Sequence, residues 1–307
     1  MNGLDVIVTS HNTRELLAAC LESLRRYPPA RPMRVTVTDN ASTDGSVELV
    51  RERFPEVELL TSDTNRGFGA ATNRALRRLQ HEAALLLNAD AEVTAGCLDL
   101  LLEHLDRHPY VGIVGPRQTG GNGQTQLTCG RRPTLAGEIT RAWRHRQLRA
   151  AADNGSAQPS PTSAHDETIL PVAWVSGSAL LVRREALPRA GLFDENFFLY
   201  FEDIDFCLRV SRAGFAVHYL PGAVVVHRGG ASAALCPDEA EYEYRRSQLR
   251  FWAKHGGTPD RLLVRGYVAG RGLWVLAACR LGLIGPRAID RAAVQRRVLR
   301  LAWKGVA

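Results

Sequence analysis

Apolar positions in the first 115 residues change their period from segment to segment. Short runs rich in β-branched residues alternate with longer segments of helical periodicity, which is the pattern of strands joined by crossover helices. The pattern predicts an α/β fold with an open, doubly wound, mostly parallel sheet flanked by helices. The predicted strands are 5–9, 34–38, 57–61, 83–87 and 111–114, and the predicted helices are 15–26, 46–53, 70–79 and 95–107, several of them preceded by Asn, Thr or Ser at capping positions.

The regular alternation stops after Gly115. Residues 144–168 have no apolar periodicity and are centred on small and polar residues, so a mobile surface insertion is predicted there. A strand-like run resumes at 172–175. We therefore expect one large domain over residues 1–255, interrupted by the insertion, and a separate tail over residues 256–307.

The tail carries the positive charge of the chain. The net charge is +7, but residues 260–307 alone hold ten Arg or Lys and two Asp, a net charge of +8, so the remaining residues are close to neutral. A body without a basic surface is not expected to bind nucleic acid. After Arg271 the longest uncharged run covers only 272–279, far short of the roughly 20 residues that span a bilayer. The tail is predicted to be a basic amphipathic helix, either lying on an anionic membrane surface or packed on the domain with its arginines in water.

Two features of the sequence bear on location. The N-terminus enters a strand pattern without a basic leader or an apolar signal core, which predicts a cytoplasmic protein. The six cysteines are spread along the chain without a C-x-x-C pair, as is typical of reduced, mostly buried thiols. We expect neither a zinc site nor a disulfide framework.

Polar residues follow four of the predicted strands, where a doubly wound sheet binds its ligands. They stand at 9–12, 39–42, 65–69 and 88–90. Asp39 can accept hydrogen bonds from a base or a ribose, and Arg66 can meet a phosphate or a base. Alternatively, Asp39 and Asn40 form only a turn that caps the next helix, and Gly67 only a tight turn into a helix.

Asp90 and His227 each end an apolar run and are candidates for a metal site. A carboxylate at a strand end can bind Mg²⁺ or Mn²⁺ that bridges two phosphates of a nucleotide. A neutral histidine nitrogen can complete such a site. The alternatives, a solvated Asp in a turn and a structural His, stay open from the residues alone.

Aromatic residues crowd the acidic residues at the end of segment 191–205. The apolar spacing that follows predicts a helix beginning near Glu202, so Glu202 and Asp205 fall in its first turn, where the helix dipole stabilises acids. A carboxylate beside aromatic rings is also partly desolvated, which raises its pKa and makes it usable as a base. The segment is therefore either a stabilised helix start or a catalytic acidic cluster.

Taken in order, these stretches resemble the inverting glycosyltransferases of family 2, which have the GT-A fold, and most closely their bacterial rhamnosyltransferase-like branch. The resemblance extends from about Asp5 to Lys254. It rests on the stretches 6–12, 37–42, 65–73, 86–90, 174–179, 193–205 and 226–227. Each stretch is only moderately specific, whereas the ordered set is highly specific.

The resemblance implies a role for each matching residue. Asp203 corresponds to the catalytic base, and Asp90 and His227 correspond to the ligands of a Mg²⁺ or Mn²⁺ ion. The residues implied to support the acceptor or its loop are Glu202, Asp205 and Trp174, and those implied to bind the nucleotide are Thr9, Asn12, Asp39, Asn40, Arg66, Gly67, Asn73 and Asn88.

Two positions depart from the family pattern. Asn88 stands where many relatives have Asp, which leaves fewer charged ligands for the metal, and His11 stands where many have Tyr at the rim of the nucleotide pocket. A non-catalytic sugar- or lipid-binding scaffold descended from a transferase is therefore an alternative. A nucleotidyltransferase is disfavoured, because residues 9–12 form no Gly-rich phosphate loop after the first strand.

The implied reaction moves a sugar from a nucleotide diphosphate donor to a hydroxyl of a glycan or polyprenyl-linked glycan, in synthesis of the bacterial cell wall or surface polysaccharide. dTDP-rhamnose is the first choice of donor, with galactofuranose, N-acetylglucosamine and glucose as alternative sugars. In this interpretation residues 1–115 bind the nucleotide, and residues 170–255 hold the acceptor and the base. The tail would bring the protein to the inner face of the cell membrane.

Overall fold

The computed structural model describes residues 1–134, 137, 169–229, 237–281, 283 and 288–305, and the predicted insertion at 144–168 lies outside them. The described strands are β1 (Leu4–Ser10), β2 (Met33–Asp39), β3 (Glu58–Leu60), β4 (Ala83–Asn88), β5 (Ala91–Val93), β6 (Val111–Thr119), β7 (Cys129–Gly130), β8 (Leu170–Pro171), β9 (Trp174–Val175), β10 (Ala179–Arg183) and β11 (Ala216–His227). The described helices are α1 (Arg14–Arg26), α2 (Ser46–Arg53), α3 (Phe68–Leu76), α4 (Cys97–Arg107), α5 (Leu187–Ala190), α6 (Glu202–Arg212), α7 (Pro237–His255), α8 (Thr258–Arg280) and α9 (Ala288–Lys304).

Nine of the described strands form one mixed sheet in the order β3-β2-β1-β4-β10-β6-β11-β5, with β8 paired to β11. The first four strands in this order are parallel, and so are β6 and β11. Strand β10 lies antiparallel between β4 and β6, and β5 is antiparallel to β11. The predicted mostly parallel sheet is confirmed. The reversed β10 and the short β5 were not predicted, because a short apolar run does not reveal its partners or its direction.

Alternate residues of the central strands pack into two apolar layers, one on each face of the sheet. In β1, Val6 and Val8 belong to the layer covered by α1, α2 and α4, whereas Ile7 belongs to the layer covered by α3 and α6. Leu85 and Leu86 of β4 divide in the same way, as the two-residue period of a strand requires. Because helices cover both faces, the strand ends are the accessible places for a ligand.

The helices of the first half agree with the prediction to within three residues at each end, but the capping prediction was wrong. Thr13 and three glycines precede α1 to α4, and none of their side chains caps a helix. Asp44 fills this role instead. Its Oδ2 accepts from the backbone N–H of Arg14 at 2.8 Å and its Oδ1 from that of Ser46 at 3.1 Å. One carboxylate thus stabilises the first turns of both α1 and α2.

The tail is helical, as predicted, and packs on the rest of the chain. Val264 and Val268 of α8 and Val294 and Val298 of α9 are buried in the same apolar layer as α3 and α6. One face of the tail is therefore packed on the domain, while Leu262, Leu263, Leu273 and Trp274 are exposed on another. By length and composition alone, α8 is also apolar enough to cross a membrane, and it is the one such helix in the described part of the chain.

Three histidines gather where α4 meets β11. Buried His104 and His218 share a 3.0 Å hydrogen bond between Nε2 and Nδ1, and His108 stacks on His104 with ring centres 4.3 Å apart. Burial, followed by the proximity of the other two histidines, lowers the pKa of His104 to about 4, and burial also lowers the pKa of His218. In the unfolded chain both titrate near the ordinary pKa of about 6.5. The unfolded state therefore binds more protons between these values, and the fold loses stability as the pH falls through that window.

We expect His104→Gln to flatten this dependence, because an amide can replace the imidazole in the hydrogen bond to His218 but cannot be protonated in this range. Relative to the variant, the wild-type protein should lose on the order of 2 kcal/mol of unfolding free energy between about pH 7 and pH 4.5. Urea denaturation at a series of pH values measures this difference. Parallel curves for the two proteins would show that the histidine pair does not cause the loss.

Candidate active site

A cavity of about 400 Å³ opens at the carboxyl ends of β1 and β4. Among the candidate residues from the sequence, those that line it are Thr9, Asn40, Gly67, Asn88, Asp90, Trp174, Glu202, Asp203 and His227. Those that do not are Asn12, Asp39, Arg66, Asn73 and Asp205. The fold thus brings the acidic stretch that ends at Asp90, the acidic stretch around Asp203, and His227 to one pocket.

Asp90 and His227 meet because the short strand β5 pairs with the end of β11. In this antiparallel pairing His227 lies opposite Ala91, the residue directly after Asp90. Nε2 of His227 is 3.3 Å from Oδ1 of Asp90, and both side chains are largely buried. The backbone N–H of Arg228 donates to the Asp90 carbonyl oxygen at 3.0 Å. Backbone pairing therefore fixes the distance between the two side chains.

Gln126 sets the proton position on the His227 imidazole. The side-chain Nε2 of Gln126 donates to the His227 carbonyl oxygen at 2.7 Å. The other amide atom, Oε1, lies 2.9 Å from Nδ1 of the His227 imidazole, and as an oxygen it accepts a hydrogen bond from that nitrogen. In neutral His227 the proton is therefore on Nδ1, and Nε2 presents a lone pair. Within the described residues this buried Nε2 makes no hydrogen bond. A lone pair next to a carboxylate is an arrangement that suits a cation.

The spacing of these two groups fits a divalent ion. Two ligands at adjacent positions around an octahedral Mg²⁺ or Mn²⁺ ion are about 3 Å apart, close to the 3.3 Å between Asp90 and His227. In the part of the chain that the structure describes, no group of three or more His, Cys, Asp or Glu side chains could hold a metal. An ion held here would therefore have two protein ligands among the described residues and would need further oxygens from a ligand or from water.

Asp203 lies in the first turn of α6, where backbone N–H groups hold its carboxylate. Oδ2 accepts from the N–H of Gly177 at 2.9 Å, and Oδ1 accepts from the N–H of Ile204 at 2.8 Å. A Cβ on Gly177 would lie 3.2 Å from the Cβ of Asp203, so glycine favours this close approach. The Asp203 side chain is half-buried and lines the cavity. Its carboxylate is thereby fixed in direction and stabilised by the helix N-terminus.

Two consecutive aromatic residues in a left-handed conformation lead into α6. Tyr200 and Phe201 have φ angles of 69° and 65°, which cost an L-residue roughly 1 kcal/mol or more each. Packing on α7 holds them in place. The ring centres of Tyr200 and Tyr244 are 5.5 Å apart, and those of Phe201 and Phe251 are 5.3 Å apart. Helix α7 therefore stabilises the turn that directs Asp203 into the cavity.

The pKa values of Glu202 and Asp205, the carboxyl groups on either side of Asp203, are shifted in opposite directions. Glu202 is buried, and burial together with the charges of Asp203 and Asp205 raises its pKa well above the ordinary value. Its Oε2 has no hydrogen-bond partner within the described ranges. Asp205 is also buried, which opposes its ionisation, but a 2.7 Å hydrogen bond with His255 and the charge of Arg209 lower its pKa to about 2. Glu202 is thus held toward its neutral form, and Asp205 joins α6 to α7 as an anion.

A second cavity, of about 330 Å³, lies beyond the end of β2 and includes Asp39. Oδ2 of Asp39 accepts from the N–H of Ser42 at 3.0 Å, whereas its buried Oδ1 makes no hydrogen bond to the described residues. Asn12 accepts from the N–H of Thr43 at 2.7 Å and so shapes the loop that lines this cavity. The buried Oδ1 is an acceptor that a ligand donor can use.

Asn40 holds the turn before α3. Its Oδ1 accepts from the N–H of Arg66 at 3.0 Å, and its Nδ2 donates to Oδ1 of Asn65 at 2.7 Å and to the Gly67 carbonyl oxygen at 3.2 Å. Gly67 has a φ angle of 86°, and a Cβ there would lie 2.3 Å from the carbonyl oxygen of Phe198, so glycine is required. The Arg66 side chain is exposed. Asn40 and Gly67 therefore build the cavity wall, and Arg66 is the exposed cation beside it.

Three other candidates are tied to the scaffold. The Thr9 hydroxyl lies 3.0 Å from two other threonine hydroxyls. Trp174 lines the cavity while its Nε1 donates to the carbonyl oxygen of Arg131 at 3.1 Å. Asn73 is buried outside both cavities, where its amide donates to the Phe193 carbonyl oxygen and accepts from the Phe193 N–H, both at 3.0 Å. Its position is that of a support for the loop at Phe193.

Three residues that shape the site, Gln126, Gly177 and Tyr244, were not predicted from the sequence. Gly177 lies within the stretch 174–179 that carried the resemblance, so the sequence held a signal for it. Gln126 comes from a segment without periodicity, and Tyr244 acts from a different helix. Their contacts with the site arise from tertiary structure, which a pattern along the chain does not show.

Residues 5–165 match the model of the family "Glycosyl transferase family 2". The chain is 31% identical over 288 residues to N-acetylglucosaminyl-diphospho-decaprenol L-rhamnosyltransferase from Mycobacterium tuberculosis, and the match covers 87% of this chain and 91% of that protein. The predicted resemblance is therefore confirmed at the level of the family.

Among solved structures, the chain is similar to mannosyltransferase PcManGT from Pyrobaculum calidifontis in complex with GDP-Man and Mn²⁺, with a TM-score of 0.55 at 20% identity, over 98% of this chain and 86% of that one. It is also similar to TarS 1–349 from S. aureus in complex with UDP, with a TM-score of 0.56 at 16% identity, over 98% and 91%. At these identities the likeness shows the fold, which is of the GT-A type. From the family model and the M. tuberculosis relative together, the chain belongs to glycosyltransferase family 2.

Proposed function

We propose that this protein transfers a hexose, with rhamnose from dTDP-rhamnose as the first choice, to a hydroxyl of a glycan or polyprenyl-linked glycan, with inversion at the anomeric carbon. Sugar transfer itself follows from the family. The observation that carries the finer proposal is that Asp90, Asp203 and His227 line one cavity. A pair of metal ligands and a carboxylate base beside one pocket are what a single displacement from a diphosphate donor uses.

The donor is proposed to bind across both cavities, with its base at Asp39. Thymine and uracil each present an imide N–H, which complements the buried acceptor Oδ1 of Asp39. Arg66 lies on a neighbouring turn and can meet a phosphate or the base. Rhamnose is favoured by the name of the M. tuberculosis relative, an L-rhamnosyltransferase. Galactofuranose, N-acetylglucosamine and glucose are the alternative sugars within the same reaction class.

Asp90 and His227 are proposed to hold a Mg²⁺ or Mn²⁺ ion. Bound there with the donor diphosphate, such an ion would offset the charge that develops on the leaving group. Gln126 contributes by keeping Nε2 of His227 free of a proton on the side that faces Asp90. Because Asn88 replaces a carboxylate, the site has a single acidic ligand. We therefore expect the ion to bind weakly until a nucleotide diphosphate supplies further oxygens.

Asp203 is proposed to be the base. The acceptor hydroxyl gives its proton to the Asp203 carboxylate while its oxygen bonds to the anomeric carbon. The bond from that carbon to the diphosphate oxygen breaks, and the electron pair leaves with the diphosphate. One displacement inverts the configuration without a covalent sugar–protein intermediate. The N–H groups of Gly177 and Ile204 hold the carboxylate in place before the acceptor arrives, which limits reorganisation during the reaction.

Glu202 is proposed to act as a neutral hydrogen-bond donor and not as a second base. Its burial and two neighbouring carboxylates favour the protonated form, and its unpartnered Oε2 belongs to a side chain that lines the cavity. A protonated carboxyl can donate to a sugar hydroxyl. It also leaves Asp203 as the charged acid next to the reacting centre, so that two adjacent carboxyls take different roles.

The two halves of the domain are proposed to divide the substrates. Residues 1–115 provide the nucleotide side, and residues 170–255 provide Asp203 and the aromatic wall of the acceptor side. The M. tuberculosis relative is named for a decaprenol-linked N-acetylglucosamine, which supports a polyprenyl-linked acceptor. A cytoplasmic location at the inner face of the membrane is proposed together with it. A non-catalytic sugar- or lipid-binding scaffold is the alternative. Such a scaffold would not need the Asp203 carboxylate to be held in a fixed orientation.

Asp203→Asn is expected to lower kcat by about three orders of magnitude, because the amide keeps the side-chain size but cannot accept the proton. Binding of dTDP should stay within about twofold of wild type, since Asp203 is assigned to the acceptor. Steady-state rates with dTDP-rhamnose and calorimetric titration with dTDP measure the two quantities. Undiminished turnover would remove Asp203 from the role of base.

The corresponding substitution at the adjacent residue, Glu202→Gln, should have little effect on turnover. Glu202→Gln mimics a neutral carboxyl, so kcat should stay within about threefold of wild type. The folded-state pKa of Glu202 is raised, so the wild-type group costs stability once the pH exceeds the unfolded pKa of about 4.3, and E202Q should be at least as stable in urea at about pH 8. A loss of turnover as large as that of Asp203→Asn would instead assign Glu202 an anionic role.

The metal site is tested by titrating dTDP into the protein with and without Mn²⁺. In the wild-type protein Mn²⁺ should tighten dTDP binding at least about tenfold, and Asp90→Asn or His227→Gln should abolish that gain while leaving the metal-free affinity unchanged. Asp39→Asn is the matched control, because it should weaken dTDP binding equally with and without the ion. If wild-type affinity does not respond to Mn²⁺, the scaffold alternative is favoured.

A further inference from the structure

The outward face of α8 is apolar. Leu262, Leu263, Leu273 and Trp274 are between 58% and 63% exposed. Exposed Gly266 and Gly270 lie between them and exposed Ala277 follows, all at helical spacing, so these residues form one stripe. The stripe carries no charged residue before Arg280, where the helix ends. A helix in contact with water on this face would normally carry polar residues there.

The two arginines in the middle of α8 face the protein. Arg265 donates from Nε to the carbonyl oxygen of Ala302 at 2.8 Å and from Nη2 to that of Trp303 at 2.6 Å. Arg271 donates to the carboxylate of Glu241 on α7. The opposite side of the helix is therefore bound to α7 and α9. This arrangement suits a helix that lies along a surface better than one that crosses a bilayer alone.

Helix α9, which packs beside α8, carries exposed positive charge. Arg291, Arg296, Arg300 and Lys304 are exposed, and Trp303 is 87% exposed. Because Arg265, in the first half of α8, binds the last carbonyl groups of α9, the two helices are antiparallel and Trp303 lies near the start of the stripe. An apolar stripe beside basic residues and tryptophan is the pattern of helices that lie in a membrane interface.

We propose that α8 and α9 form a docking surface for an anionic lipid bilayer. The α8 stripe lies in the plane of the interface at the boundary between headgroups and acyl chains, and the basic residues of α9 contact anionic headgroups. A second copy of the chain is a poorer occupant. It would bring together two surfaces from segments that each carry a net charge of +8 over residues 260–307, and like charges oppose such an interface.

The docking surface is connected to the acceptor side of the cavity through α7, which packs against both α8 and α9. Tyr244 of α7 lines the cavity, and the hydroxyl of Ser247 donates to the carbonyl oxygen of Leu199 at 2.8 Å. A polyprenyl-linked acceptor in the same leaflet would thus reach the cavity beside this helix. This step rests on the proposed function, whereas the docking itself does not.

The test is flotation of the full chain with vesicles of phosphatidylcholine, with and without about 30% phosphatidylglycerol. We expect at least about tenfold stronger binding to the anionic vesicles, weakening as salt is added. The double substitution Leu273→Ser with Trp274→Ser should lower this binding about tenfold or more, and Arg296→Gln with Arg300→Gln should lower it and reduce its salt dependence. Leu100→Ser, at a leucine on α4 that is 44% exposed, is the matched control and should bind as wild type does.

Turnover with a short, water-soluble acceptor and no vesicles should be the same in all these proteins. That readout separates a failure of docking from a failure of the proposed function, since vesicle binding is measured without substrate. Equal binding to neutral and anionic vesicles, or full binding by the Leu273 and Trp274 double variant, would overturn the proposal. The proposal would also be overturned if sedimentation equilibrium found the wild-type protein to be a dimer and the Leu273 and Trp274 double variant a monomer. A second copy of the chain would then cover the stripe.

Discussion

The pairing of β5 with β11 is the constraint on which the site depends. It sets His227 opposite Ala91, and the His227 imidazole consequently lies 3.3 Å from the carboxylate of Asp90. Successive side chains of a strand point to opposite faces, so a slip of one residue would turn the imidazole away from Asp90. Gln126 adds a second level of control, because it binds both the backbone and the ring of His227. Two side chains distant in sequence, the proposed metal ligands, are thereby held next to each other.

Three carboxyl groups in one helical turn acquire different properties from their surroundings. Glu202 is buried without a cation and is held toward neutrality, Asp203 is held by backbone N–H groups at the cavity, and Asp205 is neutralised by basic side chains. If all three were ionised without partners, their mutual repulsion would oppose the close packing of α6 on α7. The division leaves Asp203 as the carboxyl of this turn that is held by backbone N–H groups at the cavity. Helix α7 makes it possible, since it supplies His255 and the aromatic contacts of the preceding turn.

Much of the arrangement at the strand ends could be predicted from the sequence. Asp39 and Asp90 follow apolar runs. Because the ends of parallel strands lie at one edge of a sheet, the pattern predicted that both residues lie at the same edge. Asp203 and His227 were candidates from their local sequence, but their convergence with Asp90 was expected only through the family resemblance, because no local pattern links segments that distant. Asp44, which stabilises two helices, was missed because one of its partners, Arg14, is 30 residues away in the sequence at the start of another helix. The reversed direction of β10 was missed for a similar reason, since strand pairing is a property of the whole sheet.

The most direct measurement is electron–nuclear double resonance on Mn²⁺ bound to the protein with dTDP, after labelling the histidines with ¹⁵N. If Asp90 and His227 share an ion with the donor diphosphate, the same Mn²⁺ signal should show coupling to ³¹P and to one directly bonded ¹⁵N, and the nitrogen coupling should vanish in His227→Gln. A wild-type signal with phosphorus coupling and no nitrogen coupling would contradict the assignment of His227 as a ligand.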